Sequence, residues 1–391
     1  LLHEKPFQGV NGSGKHNNWS LTSDTGINML EPGVTPHENI QFLLVLACIM
    51  KAVDVHADLL RQSAAVPGND YRLGAQEAPP AIISIFVGEQ IEDVIDQLCS
   101  TGSATHSKMG GTLRTGVTTL PDFDKDATDR NRTSPFAFTN NKFEFRMVGS
   151  SDSISSANVV LIVAEAFKEA ADILEASDDF PTAVHDLIKK LLSEHRRIIF
   201  NGNGYTEEWV QEAERRGLPN LKCMVDSIPS LVTEKAVKLF GDFGVYTRSE
   251  LYARAEIEYE TYAKSVLVEA RTMSDMAGKQ IIPAVIRYSG DLARSLNEVR
   301  TACPEADMSV QTELVLEVSS LLAAMKNAME EIRKDLEKAG TMSNMKERAH
   351  FCYDEMVPAM NRLREPADRL EMIVDKEYWP FPSYGDMIFE V

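Results

Sequence analysis

The sequence predicts an α+β fold, in which a curved antiparallel sheet with helices on one side is followed by a bundle of long helices. Three observations carry this. Two short segments, 16–21 and 142–148, alternate large apolar and polar side chains at the two-residue period of a strand. Between them lies a long apolar run, 35–64, that reads as a buried helix. From about residue 180 onward the pattern is almost entirely helical, and 309–338 carries apolar residues at 314, 318, 321, 325, 329, 332 and 336, a coiled-coil-like stripe. The expected division is a mixed part over 1–265 and a helical part over 266–391.

The first element opens on Gly9 to His16, "GVNGSGKH", one residue short of the phosphate-loop pattern G-x-x-x-x-G-K-[ST]. That pattern needs a buried strand before it, a helix starting at its Lys and a hydroxyl after the Lys. The upstream "LLHEKPFQ" is too short and charged for a core strand, and His16 stands where the hydroxyl belongs. The downstream "NNWSLTSDTGINML" reads as a strand and a turn at Asp24-Thr25-Gly26. A glycine-rich approach therefore leads into a strand that begins with a histidine.

Thr35 can cap the long helix, with Pro36 in its first turn. A shorter helix is expected at 89–98, loop from 100 to 131, and a helix with an apolar opening and an acidic close at 153–176. Thr247-x-x-Glu250 is a capping box opening a long helix. Gly278 and Pro283 are expected to kink or break the helical stretch at its far end. Helices at 342–360 and 367–379 complete the bundle, with the methionines there serving as core.

In "HNNWSL", His16, Asn18 and Ser20 share one strand face; in "KFEFRM", Lys142, Glu144 and Arg146 share another. One reading is a solvated outer face with cross-strand ion pairs. The other is a site, since a His and a Glu on neighbouring strands suit a metal and the cations suit anions. "YRLGAQEAPP" at 71–80 sets Arg72 and Glu77 in a Gly/Pro-rich segment, which suits a flap with a cation and a proton-handling carboxylate. "DRNRTSPFAF" at 129–138 adds Arg130 and Arg132, whose guanidinium groups suit phosphate or carboxylate.

The formal charge of −19 over 391 residues makes nucleic acid an unfavourable partner. The longest apolar run, 42–50, is far short of a membrane span, and the first residues do not read as a signal peptide. The five cysteines form no CxxC pair and read as reduced thiols, in line with an expected cytoplasmic location.

Taken in order, "NGSGKHNNWS", "RLGAQEAPP", "NRTSPFAF" and "KFEFR" resemble the motifs of glutamine synthetase. The longer forms "RLGAQEAPPAIISIFVG" and "NKFEFRMVGSSDSISSAN" resemble its large type III branch. The resemblance implies ATP-dependent ligation of ammonia to L-glutamate through γ-glutamyl phosphate, with Mg²⁺ or Mn²⁺ on the phosphates. It implies that His16 and Glu144 hold a metal. Asn11, Gly12, Arg72 and Arg146 would bind glutamate. Asn18, Ser20, Arg132 and Lys142 would contact ATP, and Glu77 and Arg132 would act in catalysis. A ring-stacked homo-oligomer is likewise implied. Asn18 stands where the family usually has a second His, Lys142 where it often has Arg, and Ala137 near the place of a second phosphate-contacting Arg. No match to the family's upstream metal carboxylates is found, so the chain is expected to be a C-terminal portion that is inactive alone. The alternatives are a ligase using another amine and a non-catalytic relative with a structural or regulatory role.

Overall fold

The computed structural model describes residues 3–5, 11–74, 78–108, 112–113, 123–124, 133–382 and 386. The chain divides into two compact units, 1–255 and 256–391.

The first unit contains strand β1 (Asn17–Trp19), helices α1 (Ile40–Val55), α2 (Ala57–Gln62) and α3 (Pro67–Arg72), and strand β2 (Ile85–Phe86). Helix α4 (Glu89–Thr101) and the short strands β3 (Thr112–Leu113) and β4 (Phe123–Asp124) come next. Then come β5 (Phe136–Thr139) and β6 (Lys142–Phe145), and helices α5 (Val159–Glu175), α6 (Phe180–His195), α7 (Glu207–Arg215), α8 (Met224–Ser227) and α9 (Glu234–Asp242). Helix α10 (Arg248–Met276) begins at the expected capping box: the Thr247 amide donates to the Glu250 carboxylate at 2.7 Å and the Glu250 amide to the Thr247 hydroxyl at 3.4 Å.

The sheet that positions the polar residues has the order β1-β6-β5-β2. β1–β6 and β6–β5 pair antiparallel, as expected, but β2 pairs parallel to β5, so the sheet is mixed. The reason is the connection. β5 and β6 are joined by a two-residue turn, Asn140-Asn141, with Asn140 at φ 61°, a conformation asparagine tolerates. β2 reaches β5 through α4 and the segment after it, which allows a parallel return.

One face of this sheet is aromatic. Trp19 stacks on Phe143 with centroids 5.5 Å apart, and Phe136 lies 5.2 Å from Phe143. Phe138 lies 5.7 Å from Phe42 of α1, which seats the sheet on that helix. Such aromatic contacts bury large areas and fix ring orientation, and they explain why the strands hold despite their shortness.

Helix α1 does not start at the expected cap. Pro36–Glu38 forms a single 3₁₀ turn in which Thr35 makes no side-chain cap. Asn39 caps α1 instead, accepting from the Phe42 amide at 3.0 Å. At the far end the chain bends at His56, which is fully buried. His56 Nε2 meets the Glu165 carboxylate of α5 at 2.6 Å, while its Nδ1 is buried with no hydrogen-bond partner among the described residues.

The second unit continues α10 and adds α11 (Ile282–Ala302), α12 (Ser309–Thr341), α13 (Met345–Phe351) and α14 (Val357–Ile373). The stripe on α12 is core, with Val318, Met325 and Ile332 at 0% exposure. The break expected around Gly278 and Pro283 is a π turn at Ala277–Ile281, directly followed by α11. A second π turn, Cys352–Met356, precedes Pro358 in the same way. A proline cannot donate to the carbonyl four residues back and its ring crowds that carbonyl; the extra residue of a π turn relieves both faults without ending the helix. No helix among the described residues is long and apolar enough to cross a membrane.

Two measurements check these assignments. Asn39→Ala should lower stability in urea unfolding by about 1 kcal/mol, while Thr35→Ala should change it by only about 0.3 kcal/mol or less. Burial lowers the pKa of His56 below 6.5 first of all, with Lys235 adding to this and Glu165 and Asp58 opposing it. The folded state thus holds the imidazole neutral, and the unfolded chain takes up a proton first as pH falls. The stabilisation is complete above 6.5 and is lost as pH drops through 6.5 toward the lower folded value. His56→Gln should flatten that loss between about pH 7.5 and about pH 5.5.

Candidate active site

The β1–β6 register brings the polar residues of the two strands together. Asn18 lies opposite Glu144, and Asn17 and Trp19 lie opposite Phe145 and Phe143. His16 Nδ1 lies 3.7 Å from Glu144 Oε2.

On the first strand His16, Asn18 and Ser20 are exposed, but the β6 side of this face is not a solvated row of ion pairs. Glu144 and Arg146 are only 7% and 8% exposed. Arg146 Nε and Nη2 both donate to Glu144 Oε2, at 3.1 and 2.9 Å, and the Thr139 hydroxyl reaches Oε1 at 3.5 Å. Burial raises the pKa of Glu144, but the Arg146 hydrogen bond and charge, with His16 and Lys142, outweigh it and hold the carboxyl below its ordinary value. Burial lowers the pKa of His16, Arg146 and Arg72 lower it further, and Glu144 only partly offsets them. A neutral imidazole beside an ionised carboxylate is a suitable donor pair for a divalent cation. No group of three or more His, Cys, Asp or Glu gathers for a metal among the described residues, so this pair alone does not make a metal site.

The glycine run approaches along the sheet edge. The Lys15 amide donates to Val148 O at 3.0 Å, and Gly14 bridges Gly149. The Lys15 ammonium donates to the Asp152 carbonyl at 2.5 Å, and the chain passes straight into β1. A phosphate loop would turn into a helix here, so that reading is excluded.

Arg72, the last residue of α3, lies across this run. Its Nη1 donates to Asn69 Oδ1 at 3.0 Å and Met147 O at 3.3 Å, and its Nη2 to Arg146 O at 3.3 Å. Asn69 is completely buried and donates to Ala64 O at 2.7 Å and Met147 O at 2.8 Å. A side chain on Gly12 would meet the Arg72 stem at 2.9 Å, and one on Gly14 would collide with the guanidinium. Gly12 is also closed off by the Glu4 carbonyl at 2.7 Å, so a side chain there would have to displace backbone, whereas one at Gly14 would push the Arg72 guanidinium from its place. Burial lowers the pKa of Arg72, and Glu4 and Tyr205 counter it.

The structure thus brings Gly12, His16, Asn18, Arg72, Glu144 and Arg146 into one place. Asn11, Ser20 and Lys142 flank it, Asn11 and Ser20 being exposed. Glu77, Arg130 and Arg132 lie outside the described residues. Sequence reasoning missed Glu4, Asn69, Thr139 and the segment 201–205. In that segment Gly204 N donates to the Thr133 hydroxyl at 2.8 Å, and Asn201 Oδ1 accepts from the Val87 and Gly88 amides at 3.0 and 3.2 Å. The repeated Asn-Gly of "NGNGY" was the available signal.

Removing one partner of the buried pair should be costly. Glu144→Ala should destabilise by about 1–3 kcal/mol because it removes the two charge-assisted hydrogen bonds that Glu144 accepts from Arg146. Glu144→Leu with Arg146→Met should recover most of that loss in the same urea unfolding measurement.

Residues 183–300 match the glutamine synthetase C-terminal domain family. The whole chain is 40% identical over 396 residues to a glutamine synthetase of Butyrivibrio fibrisolvens, covering 100% of this chain and 56% of that protein. It is 41% identical over 405 residues to a type-3 glutamine synthetase of Dictyostelium discoideum, covering 54% of it, and 38% identical over 404 residues to a glutamine synthetase of Bacteroides fragilis (strain YCH46), covering 55%. The chain spans about half the length of these relatives. This chain is thus similar along its full length to about half of each of these glutamine synthetases and contains a match to that family's C-terminal domain.

Proposed function

We propose that the chain is the C-terminal part of a type III glutamine synthetase, and that it supplies part of the site joining ammonia to L-glutamate at the expense of ATP. The observation that carries this reading is that Arg72 lies against the Gly12–Gly14 run and donates to the Arg146 carbonyl, beside the His16–Glu144 pair. Two guanidinium groups held in fixed positions beside exposed backbone suit the two carboxylates of a small dicarboxylate.

In this reading the backbone at Asn11 and Gly12 receives glutamate, and Arg72 and Arg146 hold its carboxylates. The γ-carboxylate attacks the terminal phosphorus of ATP, the bond to ADP breaks, and γ-glutamyl phosphate forms. Ammonia then attacks the acyl carbon and phosphate leaves. Arg132 steadies the transferring phosphoryl group, and Glu77 closes over the site, excluding water and taking a proton from ammonium. Asn18, Ser20 and Lys142 contact the nucleotide. His16 and Glu144 would hold a divalent cation, Mg²⁺ or Mn²⁺, which supplies charge neutralisation at the ATP phosphates. A homo-oligomer and a division of the chain into a catalytic part, 1–265, and a helical part, 266–391, belong to the same reading.

Calorimetric titration of glutamate into the folded chain with Mg²⁺ and ATP tests it. Saturable binding, weakened at least about tenfold by Arg72→Ala, is the expected result. Absence of binding to a sample of demonstrated fold would overturn the assignment of glutamate to this chain's residues.

A further inference from the structure

The site rests on a carboxylate that the reaction does not use. Glu4 is 2% exposed, although it lies at the edge of the described chain. Its backbone carbonyl accepts from the Ser13 amide at 2.7 Å, inside the glycine run. Its carboxylate Oε1 accepts from the Ser151 amide at 2.8 Å and from the Ser151 hydroxyl, just beyond β6. One residue therefore ties the glycine run to the segment just after the Glu144 strand.

Glycines clear the space around it. A side chain on Gly12 would meet the Glu4 carbonyl at 2.7 Å on one side and the Arg72 stem at 2.9 Å on the other. One on Gly149 would meet Glu4 Oε1 at 2.5 Å and Val66 at 2.8 Å, and one on Gly68, in the first turn of α3, would collide with Oε2. Three segments thus omit a Cβ around the same buried residue. Burying a carboxylate is unfavourable without compensating donors and a nearby cation. Ser151 provides the donors, and Arg72, on the helix whose first turn holds Gly68, provides a cation whose ionisation Glu4 favours.

We propose that Glu4 is a positioning residue: its carboxylate, fixed by Ser151, and its carbonyl, bound by Ser13, hold the Gly12–Gly14 run against Arg72 in the geometry that receives glutamate. The proposal rests on the reading of Arg72 as a glutamate holder. Of the nucleotide contacts, Asn18 lies in β1 and Ser20 and Lys142 beyond its far end, and Glu4 hydrogen-bonds to none of them among the described residues.

The test uses the full chain with Glu4→Gln, which keeps shape and removes charge, Glu4→Asp, which restores charge, and Gly149→Ala, which crowds the carboxylate. Glutamate and ATP affinities are measured by calorimetry with Mg²⁺, together with amide exchange at Ser13 and Ser151 and the NMR signal of the Arg72 side-chain N–H. Glu4→Gln should weaken glutamate about tenfold, leave ATP within about twofold, and broaden the Arg72 signal. Glu4→Asp should recover part of the glutamate affinity, and the Glu4→Gln/Gly149→Ala double variant should lose no more than the worse single one. Equal loss of glutamate and ATP affinity would show a merely structural role, and unchanged glutamate affinity would exclude any role; either result overturns the proposal. Should the unsubstituted chain bind no glutamate, the reading of Arg72 fails separately. The positioning claim then stands or falls on whether Glu4→Gln speeds exchange at Ser13 and Ser151 and releases Arg72.

Discussion

The register between β1 and β6 is the constraint on which the rest depends. Because side chains alternate across a strand, a slip of one residue would turn Trp19 out of the aromatic layer and put Asn18 and His16 into it. It would also separate His16 from Glu144. The stacking of Trp19 on Phe143 and the packing of Phe138 on Phe42 oppose that slip. The aromatic face is therefore what holds the polar face in register, and the chemistry of one side depends on the packing of the other.

The polar face is expensive to assemble. Glu144, Arg146 and Arg72 are all drawn out of water, and each is compensated by a specific partner: Glu144 by Arg146 and Thr139, Arg72 by three oxygen acceptors. Buried charges of this kind contribute little net stability. What they provide is fixed orientation, which a site for a small dicarboxylate requires, because the cations stay in place without the ligand. The absence of side chains at Gly12 and Gly14 serves the same end by letting backbone approach Arg72 directly.

The helical second unit obeys a different logic. Its apolar stripe on α12 is packed as core, and two of its prolines, Pro283 and Pro358, are admitted through π turns rather than breaks. In the first unit long-range polar contacts are laid over an apolar and aromatic core, whereas the second unit is ordered by apolar residues at a helical period.

That difference sets what could be read without coordinates. The alternation in "HNNWSL" and "KFEFRM", the α12 stripe, the Thr247–Glu250 capping box and the turn at Asp24–Gly26 are local patterns, and each appears as expected. The cap of α1 lies four residues beyond the expected one because Thr35 and Asn39 are both competent caps, and only the packing of the 3₁₀ turn chooses between them. The parallel return of β2 was hidden because a strand's direction relative to its neighbour depends on the path of its connection. The residue types at the site were legible, since His, Glu and Arg at alternate positions mark the strand faces. Their partners were not. Glu4 and Ser151 are 147 positions apart, and Arg72 and the Arg146 carbonyl 74. The sequence by itself determined which side chains share a face, because that depends only on the two-residue period of the strand. Only the tertiary structure decided which buried carboxylate, carbonyl and guanidinium meet, because those contacts join segments that no local period relates.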